Sequence, residues 1–390
     1  MIITMNLIET DKKYIANTYA RYPLAVKEGS GDILTDGKDS FIDLGSGIAV
    51  NTFGMCDESW VNAVTNQLHK YAHISNYYYS EPSAELAKML CERTGMCKVF
   101  FSNSGAEANE CAIKAARKHA CDKLGSDYYT IVTLENSFHG RTLTTLAATG
   151  QDTFHKDFLP LTNGFVHAKV NDIDDLTKKV EENKCAAIMI EFVQGEGGVN
   201  VLDKEFVEAV FTLAEKHNII VIADEVQTGN GRTGKLYAHM HYGVKPDIFT
   251  TAKGLCGGLP LGATVLGEKV KDIFTPGLNG STFGGNPVCC AGALNVLSRL
   301  TEDFLNEVTK KAEFIHNELS GSKGIKSVSG LGLMIGIETV KDAKEIAKAC
   351  FDRKVLVLTA KDKLRLLPPL NIEYSHLKDA LNIIKEECAI

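Results

Sequence analysis

Residues 218–229 read NIIVIADEVQTG. From Ile219 to Ile222 the side chains are β-branched and apolar, with no period-two alternation. That is the pattern of a strand buried on both faces, as in a parallel sheet. The run ends in two carboxylates, Asp224 and Glu225. Open α/β sheets bind their ligands beyond the carboxyl ends of the strands, so an acid at this point is a candidate ligand group. Aspartate after a strand also serves simply to cap the next segment. Asp224 alone does not separate the two readings.

Lys253 does. It lies 253 − 224 = 29 residues on, after a second apolar stretch, Asp247 to Ala252, and before Gly254, Gly257 and Gly258. A lysine between an apolar strand and a glycine-rich loop is partly desolvated, which lowers its pKa and frees the amine to attack an aldehyde. A Schiff-base lysine together with an acid for a ring nitrogen is the pair that pyridoxal phosphate requires. The carboxylate keeps the pyridine nitrogen protonated, so that the ring accepts electrons from the substrate carbon. The wording DEVQTGNGRTGKLYA, followed by KPDIFTTAKGLCGGLPLGA, resembles the subgroup of fold-type I aminotransferases that includes acetylornithine and ornithine aminotransferases.

Composition agrees with an enzyme of that size. A chain of 390 residues, 44% hydrophobic and 23% charged, is long enough for a large core and for two domains. A net charge of −7 gives no basic footprint, so neither nucleic acid nor an anionic membrane is an expected partner. The opening MIITMNLIETDKKY lacks a basic region followed by a long apolar run. No apolar stretch approaches the roughly 18 residues of a spanning helix. The 11 cysteines make no CxxC pair, and the adjacent Cys289 and Cys290 are poorly placed to bridge each other. An odd count without framework spacing suits a reducing cytoplasm. His239 and His241 form a close pair of potential metal ligands, but no metal site is expected.

Further chemical signals lie upstream. Ser102–Ala108 (SNSGAEA) follows the apolar Val99–Phe101 and opens a helix with small residues at Ala108, Cys111, Ala112 and Ala115. Ser104, Gly105 and Ala106 would there offer a hydroxyl and free N–H groups, an anion cradle suited to a phosphate. Ser-Gly before a helix is also an ordinary cap. The strand-like Tyr129–Glu135 delivers NSFHGRT, with Phe138 and His139 able to stack on a flat ring and Arg141 able to fork a carboxylate. Ala186–Glu191 leads into a glycine-rich turn bearing Glu196.

The first forty-odd residues read as an amphipathic start and a small hairpin, with Asp36-Gly37 turning between Ile33-Leu34 and Phe41-Ile42. Asp43–Asn51 is rich in small residues and is expected to line a cavity or an interface. From Glu58 to Tyr71 the spacing of Trp60, Val61, Val64 and Leu68 predicts a helix with one buried face. Downstream, helices are predicted over Glu302–Leu319, Asp342–Arg353 and Leu377–Glu387, and strands over Gly332–Glu338, Lys354–Thr359 and Leu364–Leu367.

The resemblance runs over nearly the whole chain and implies roles for individual residues. Lys253 and Asp224 would be catalytic. Ser104, Gly105, Ala106, Phe138, His139, Val226 and Gln227 would hold pyridoxal 5′-phosphate, and Thr282 would bond the phosphate of a neighbouring subunit. Arg141 would grip the substrate's α-carboxylate. Glu196 would pair with Arg365 and release it for the second carboxylate of 2-oxoglutarate. Arg21 and Ser281 complete the expected substrate side. Ornithine aminotransferases of the subgroup carry tyrosines where this chain has Arg21 and Gly47, which argues for an acylated amino acid. Relatives also continue with a GHCHP-like stretch where this chain reads Gly54-Met55-Cys56-Asp57-Glu58.

The resemblance thus implies an α/β chain of fold-type I. Its large domain, residues 46–280, would hold a mostly parallel seven-stranded sheet flanked by helices. A smaller α/β domain would span 281–390, with 1–45 added to it. The implied reaction is transamination of N-acetylornithine with 2-oxoglutarate, in a cytoplasmic homodimer with shared sites. Free ornithine, succinylornithine and other ω-amino acids are alternatives. An aminomutase or racemase on the same cofactor would keep Lys253 and Asp224 yet need no keto acid.

Overall fold

The computed structural model describes residues 6–389. The first five residues of the N-terminal stretch, and the last residue of the chain, lie outside the described residues.

Seven strands form one sheet, in the spatial order Lys98–Ser102, Gly262–Leu266, Ile248–Thr251, Ile220–Asp224, Cys185–Ile190, Thr130–Leu134 and Phe165–Ala168. Gly262–Leu266 runs antiparallel to both its neighbours, and the other strands are parallel. The mostly parallel seven-stranded sheet expected from the sequence is therefore present. Its central strands are buried at every position, which is why they carry no alternation. Alternate side chains nevertheless serve different layers. Ile220 and Ile222 pack with Ala112, Ala115 and Ala116 of the Gly105–Lys123 helix. Val221 and Ala223 join Phe206, Val207 and Val210 of Lys204–His217 on the other face.

A second sheet is antiparallel, ordered Ile325–Leu331, Met334–Thr339, Lys363–Leu366, Leu358–Ala360. The helices Glu302–Leu319, Ala343–Asp352 and Tyr374–Ala389 cover it. A third begins as the N-terminal meander Glu28–Ser30, Ile33–Thr35, Ser40–Asp43 and gains Val355–Leu356 as a parallel fourth strand. The meander's turn forms where Asp36-Gly37 predicts it. Asp36 Oδ1 accepts the N–H groups of Lys38 and Asp39, both at 2.8 Å, and Gly37 takes φ +88°.

Two expectations change. Lys354–Thr359 is not one strand. Val355–Leu356 pairs with Ile42–Asp43, and Leu358–Ala360 pairs with Lys363–Arg365 in a different sheet. The chain changes sheets at Val357, which an unbroken apolar pattern conceals. The Glu58–Lys70 helix forms, but only part of its apolar stripe faces the core of its own chain: Trp60 packs against that core and Val64 is half-buried. Val61 is 39% and Leu68 51% exposed, while Gln67 is buried. Trp60, half-buried, donates its indole N–H to the Cys256 carbonyl at 2.7 Å.

No described helix is long and apolar enough to cross a membrane. All 11 cysteines are free thiols.

Candidate active site

The carboxyl ends of the parallel strands meet around one cavity of about 530 Å³. Ile220–Asp224 and Ile248–Thr251 are neighbours, with Asp224 in register with Thr250. Asp224 and Lys253 therefore reach the cavity side by side.

Asp224 is buried and held by three donors, with a fourth polar group nearby. Its Oδ2 accepts from Asn109 Nδ2 and His139 Nδ1, each at 2.8 Å. Its Oδ1 accepts the Val226 N–H at 3.1 Å and lies 3.4 Å from Thr250 Oγ1. Thr250 has one hydroxyl proton, and the shorter bond, 2.7 Å to Asn109 Oδ1, takes it. Each carboxylate oxygen accepts about two donors, so Oδ2 is saturated and Oδ1 keeps one lone pair open. His139 is wholly buried; desolvation pushes its pKa down, but the Asp224 bond and the charges of Asp224 and Glu191 outweigh it and the net shift is upward. Its Nε2 is buried without a partner.

Lys253 is half-buried, and desolvation lowers its pKa to about 8 against the upward pull of Glu196. Its φ of +45° is unusual for a residue with a Cβ, a local strain of the kind that gathers at functional sites. The approach to it is pinned. Asn230 Nδ2 donates to Thr251 Oγ1 at 2.9 Å and to the Ala252 carbonyl at 3.1 Å, and Thr52 Oγ1 donates to the Gly254 carbonyl at 2.8 Å.

The Gly105–Lys123 helix points its N-terminus into the cavity. Ser104 is its N-cap: the hydroxyl accepts the Glu107 N–H at 3.2 Å and donates to Glu107 Oε2 at 3.1 Å. The cap reading of that serine thus holds, and its hydroxyl is engaged. The N–H groups of Gly105 and Ala106 have no carbonyl of their own helix to bond, and both line the cavity. Glycine is required there by contact. A Cβ on residue 105 would sit 2.6 Å from Val226 Cγ1.

Phe138 and Arg141 line the mouth. The Arg141 guanidinium rests 4.2 Å from the Phe154 ring centre and 5.5 Å from that of Phe138. Among the described residues no carboxylate lies within ion-pair range of it. Glu196 and Arg365 meet directly: Arg365 Nη1 donates to Glu196 Oε1 at 2.7 Å and to Gln227 Oε1 at 3.2 Å. Burial pushes the Glu196 carboxyl up, but the arginine's charge and bond prevail and hold it low. Gln227 lines the cavity as well, and so bridges this pair to the Asp224 side.

Of the expected substrate and cofactor residues, Glu196 and Arg365 adjoin the cavity only through Gln227, and three others are not brought to it within one chain. Arg21 lies in the N-terminal segment, ion-paired to Asp11 at 3.4 Å and lining a separate surface groove with residues 7–26. Thr282 is exposed, beside exposed Phe283. Ser281 stands one contact away: its Oγ accepts from Asn103 Nδ2 at 3.2 Å, and Asn103 lines the cavity. The histidine pair His239 and His241 diverges, to Glu225 at 3.0 Å and to the Thr233 carbonyl at 3.0 Å. Among the described residues no group of three potential metal ligands forms.

The site also contains residues that motif reading passes over. Asn109 bonds Asp224, Thr250 and the His139 carbonyl, the last at 2.7 Å. Glu191 is buried at the cavity wall, and burial raises its pKa to about 7 despite the neighbouring His139. Val50, from the small-residue stretch Asp43–Asn51, lines the cavity too. The available signal for Asn109 was a polar residue on the apolar stripe of a helix whose neighbours Ala108 and Ala112 are buried.

A family model described as aminotransferase class-III matches residues 14–387. The acetylornithine aminotransferase of Haemophilus ducreyi is 48% identical over 381 residues, covering 97% of this chain and 97% of its own. The structure is similar to that of N-acetylornithine aminotransferase from Stenotrophomonas maltophilia, with a TM-score of 0.85 at 32% identity over 98% of each chain. It is similar also to that of ornithine aminotransferase from Toxoplasma gondii, with a TM-score of 0.93 at 28% identity over 98% of this chain and 94% of that one.

Proposed function

The chain belongs to the class-III aminotransferases, and on that premise we propose that it transfers the terminal amino group of N2-acetylornithine to 2-oxoglutarate. The products are N-acetylglutamate 5-semialdehyde and glutamate. Class-III aminotransferases are pyridoxal-phosphate enzymes of fold-type I. The carrying observation is that a half-buried lysine and a buried carboxylate follow adjacent strands at one cavity, facing a helix N-terminus.

The residues present fit that cofactor. Asp224 Oδ1 has one lone pair open, which matches a protonated ring nitrogen. Gly105 and Ala106 offer N–H groups to a phosphate at the positive end of a nineteen-residue helix. Val226 and Phe138 provide apolar surfaces on which a flat ring can rest, with His139, Ser104 and Gln227 completing its surroundings. When bound, pyridoxal phosphate supplies an aldehyde that condenses with amines and a ring that takes up electrons from the substrate carbon.

The chain's own residues do the rest. Asp224, fixed by Asn109 and His139, holds the proton at the ring nitrogen. Lys253 Nζ, its pKa lowered to about 8, takes the proton from the carbon that bears the amine and later returns one. Arg141, carrying no carboxylate of its own, grips the α-carboxylate of the amino donor. Glu196 masks Arg365 while that single carboxylate is bound; 2-oxoglutarate brings a second one, and Arg365 turns to it.

An acylated donor is supported by Gly47, whose φ of +66° favours glycine over the larger residue that free-ornithine enzymes of the subgroup carry. We further assign a cytoplasmic homodimer. Exposed apolar side chains support it, among them Val61, Leu68, Tyr77, Tyr79 and Phe283. In that assembly Thr282, Ser281 and Arg21 would serve the site of the partner. The division into a cofactor domain over 46–280 and a small domain over 281–390, with 1–45 joined to it, is supported by the pairing of Ser40–Asp43 with Val355–Leu356.

The test is a visible spectrum of the protein loaded with pyridoxal phosphate, followed by N-acetylornithine without keto acid. The visible band should bleach, and 2-oxoglutarate should restore it; Lys253→Ala should abolish the response. Bleaching by free ornithine alone would overturn the substrate. Absence of any band would overturn the cofactor assignment.

A further inference from the structure

Two loops meet beside the cavity, the first of them lining it. One runs from Glu135 to Arg141 and carries Phe138, His139 and Arg141. The other runs from Phe192 to Gly198 and carries Glu196. They touch closely. Gln194 Nε2 donates to the Glu135 carbonyl at 2.9 Å, and a Cβ on Gly197 would lie 2.6 Å from the Asn136 carbonyl oxygen. Glu191 sits beneath both. Its Oε2 accepts the Phe138 N–H at 2.9 Å, and its Oε1 accepts the Gly195 N–H at 3.4 Å. The side chain is buried at the cavity wall, so water does not offer these amides an alternative acceptor.

We propose that Glu191 is a positioning residue that ties the Phe138 wall to the Gly195–Glu196 turn, so that departure of Glu196 from Arg365 also loosens that wall. The proposal rests on the aminotransferase reading for what the two loops hold, but the coupling itself is a property of this chain. A carboxylate is the side chain the position requires. Ionised, as it is above about pH 7, it presents acceptors on both oxygens, whereas a carboxamide, like the protonated acid, presents one acceptor and one donor. Glutamine of the same volume must therefore set its NH2 against one of the two backbone N–H groups. Gly195 adds to the linkage, because its missing Cβ lets Gln227 approach: a Cβ there would stand 2.1 Å from Gln227 Oε1. Gln227 in turn accepts from Arg365. One small loop thus senses the arginine on one side and the aromatic wall on the other.

Hydrogen exchange resolved to the Phe138 and Gly195 amides tests the tie without any turnover. Well above pH 7, where Glu191 is ionised, both amides should exchange faster together in Glu191→Gln, by about tenfold or more, while the Ile220–Asp224 strand is unchanged. A rise at one amide only, or at neither, would overturn the proposal. In the unaltered protein, saturating 2-oxoglutarate should speed exchange at Phe138 as well as at Gly195, a result that does not depend on any variant folding. Half-reaction kinetics give a second readout. Glu191→Gln should raise the apparent KM for N-acetylornithine about tenfold and leave that for 2-oxoglutarate within about twofold, since the mask over Arg365 matters only to the donor with one carboxylate. Equal loss in both halves would count against it. Concerted exchange in a protein that fails to transaminate would sink the reaction assigned above and leave the tie standing.

Discussion

At the scale of single residues, Lys253 is held at a thermodynamic cost that the bare protein should reveal. Burial lowers its pKa from 10.5 to about 8. The unfolded chain therefore binds more protons than the folded one between those two values, and stability rises with pH across that window. Below about pH 8 the full penalty is present, about 3 kcal/mol at 1.36 kcal/mol per pH unit. Lys253→Met, unbranched and of similar length, should make the cofactor-free protein more stable at pH 7 by an amount of that order. The gain should shrink toward pH 10.5. Denaturant titrations at several pH values measure it, and a variant less stable than the parent at pH 7 would refute the desolvation argument. This pair was the legible part of the site. Asp224 and Lys253 stand out because each interrupts an apolar run at its end. Asn109 and Glu191 carry comparable hydrogen-bond duties but were invisible, since their importance lies in partners 115 and 53 residues away in the chain.

At the scale of elements, the start of the Gly105–Lys123 helix is fitted to its neighbour through a missing side chain. Val226 is stiff at χ1 and cannot readily swing aside for a Cβ 2.6 Å away. Gly105→Ala should displace the helix start, weaken pyridoxal phosphate binding about tenfold and destabilise the protein by about 1–3 kcal/mol. Adding Val226→Ala should recover much of both, and titration of the cofactor into the cofactor-free protein gives the answer. Elements were otherwise the best-read level. The Glu302–Leu319 helix and the buried strands declare themselves by period and by run length. The failures have a common cause. Periodicity reports that a face is apolar but not what covers it, so Val61 and Leu68 are assigned to the chain's own core along with Trp60 and Val64. An unbroken apolar run also hides a change of sheet, as at Val357.

At the scale of the whole molecule, the exposed side chains of Val61 and Leu68 are the place to test self-association. Replacing both by glutamate should leave the helical content of the chain unchanged, because neither position contributes to its core. If the face is buried between two copies, losing about 1.5–3 kcal/mol per side chain should weaken the dimer by about a hundredfold or more. Sedimentation velocity over a range of concentrations reads the outcome, and an unchanged dimer would place the interface elsewhere. The parallel pairing of Ile42 with Val355 has a consequence for how the protein is made. The N-terminal meander leaves the ribosome with one edge unfilled, and its partner follows 355 − 42 = 313 residues later. At roughly 5–20 residues per second that edge waits on the order of 15–60 s, open to any other extended segment in the cell. A vulnerable interval for this protein therefore falls during its synthesis, and it closes only once Val355–Leu356 has emerged.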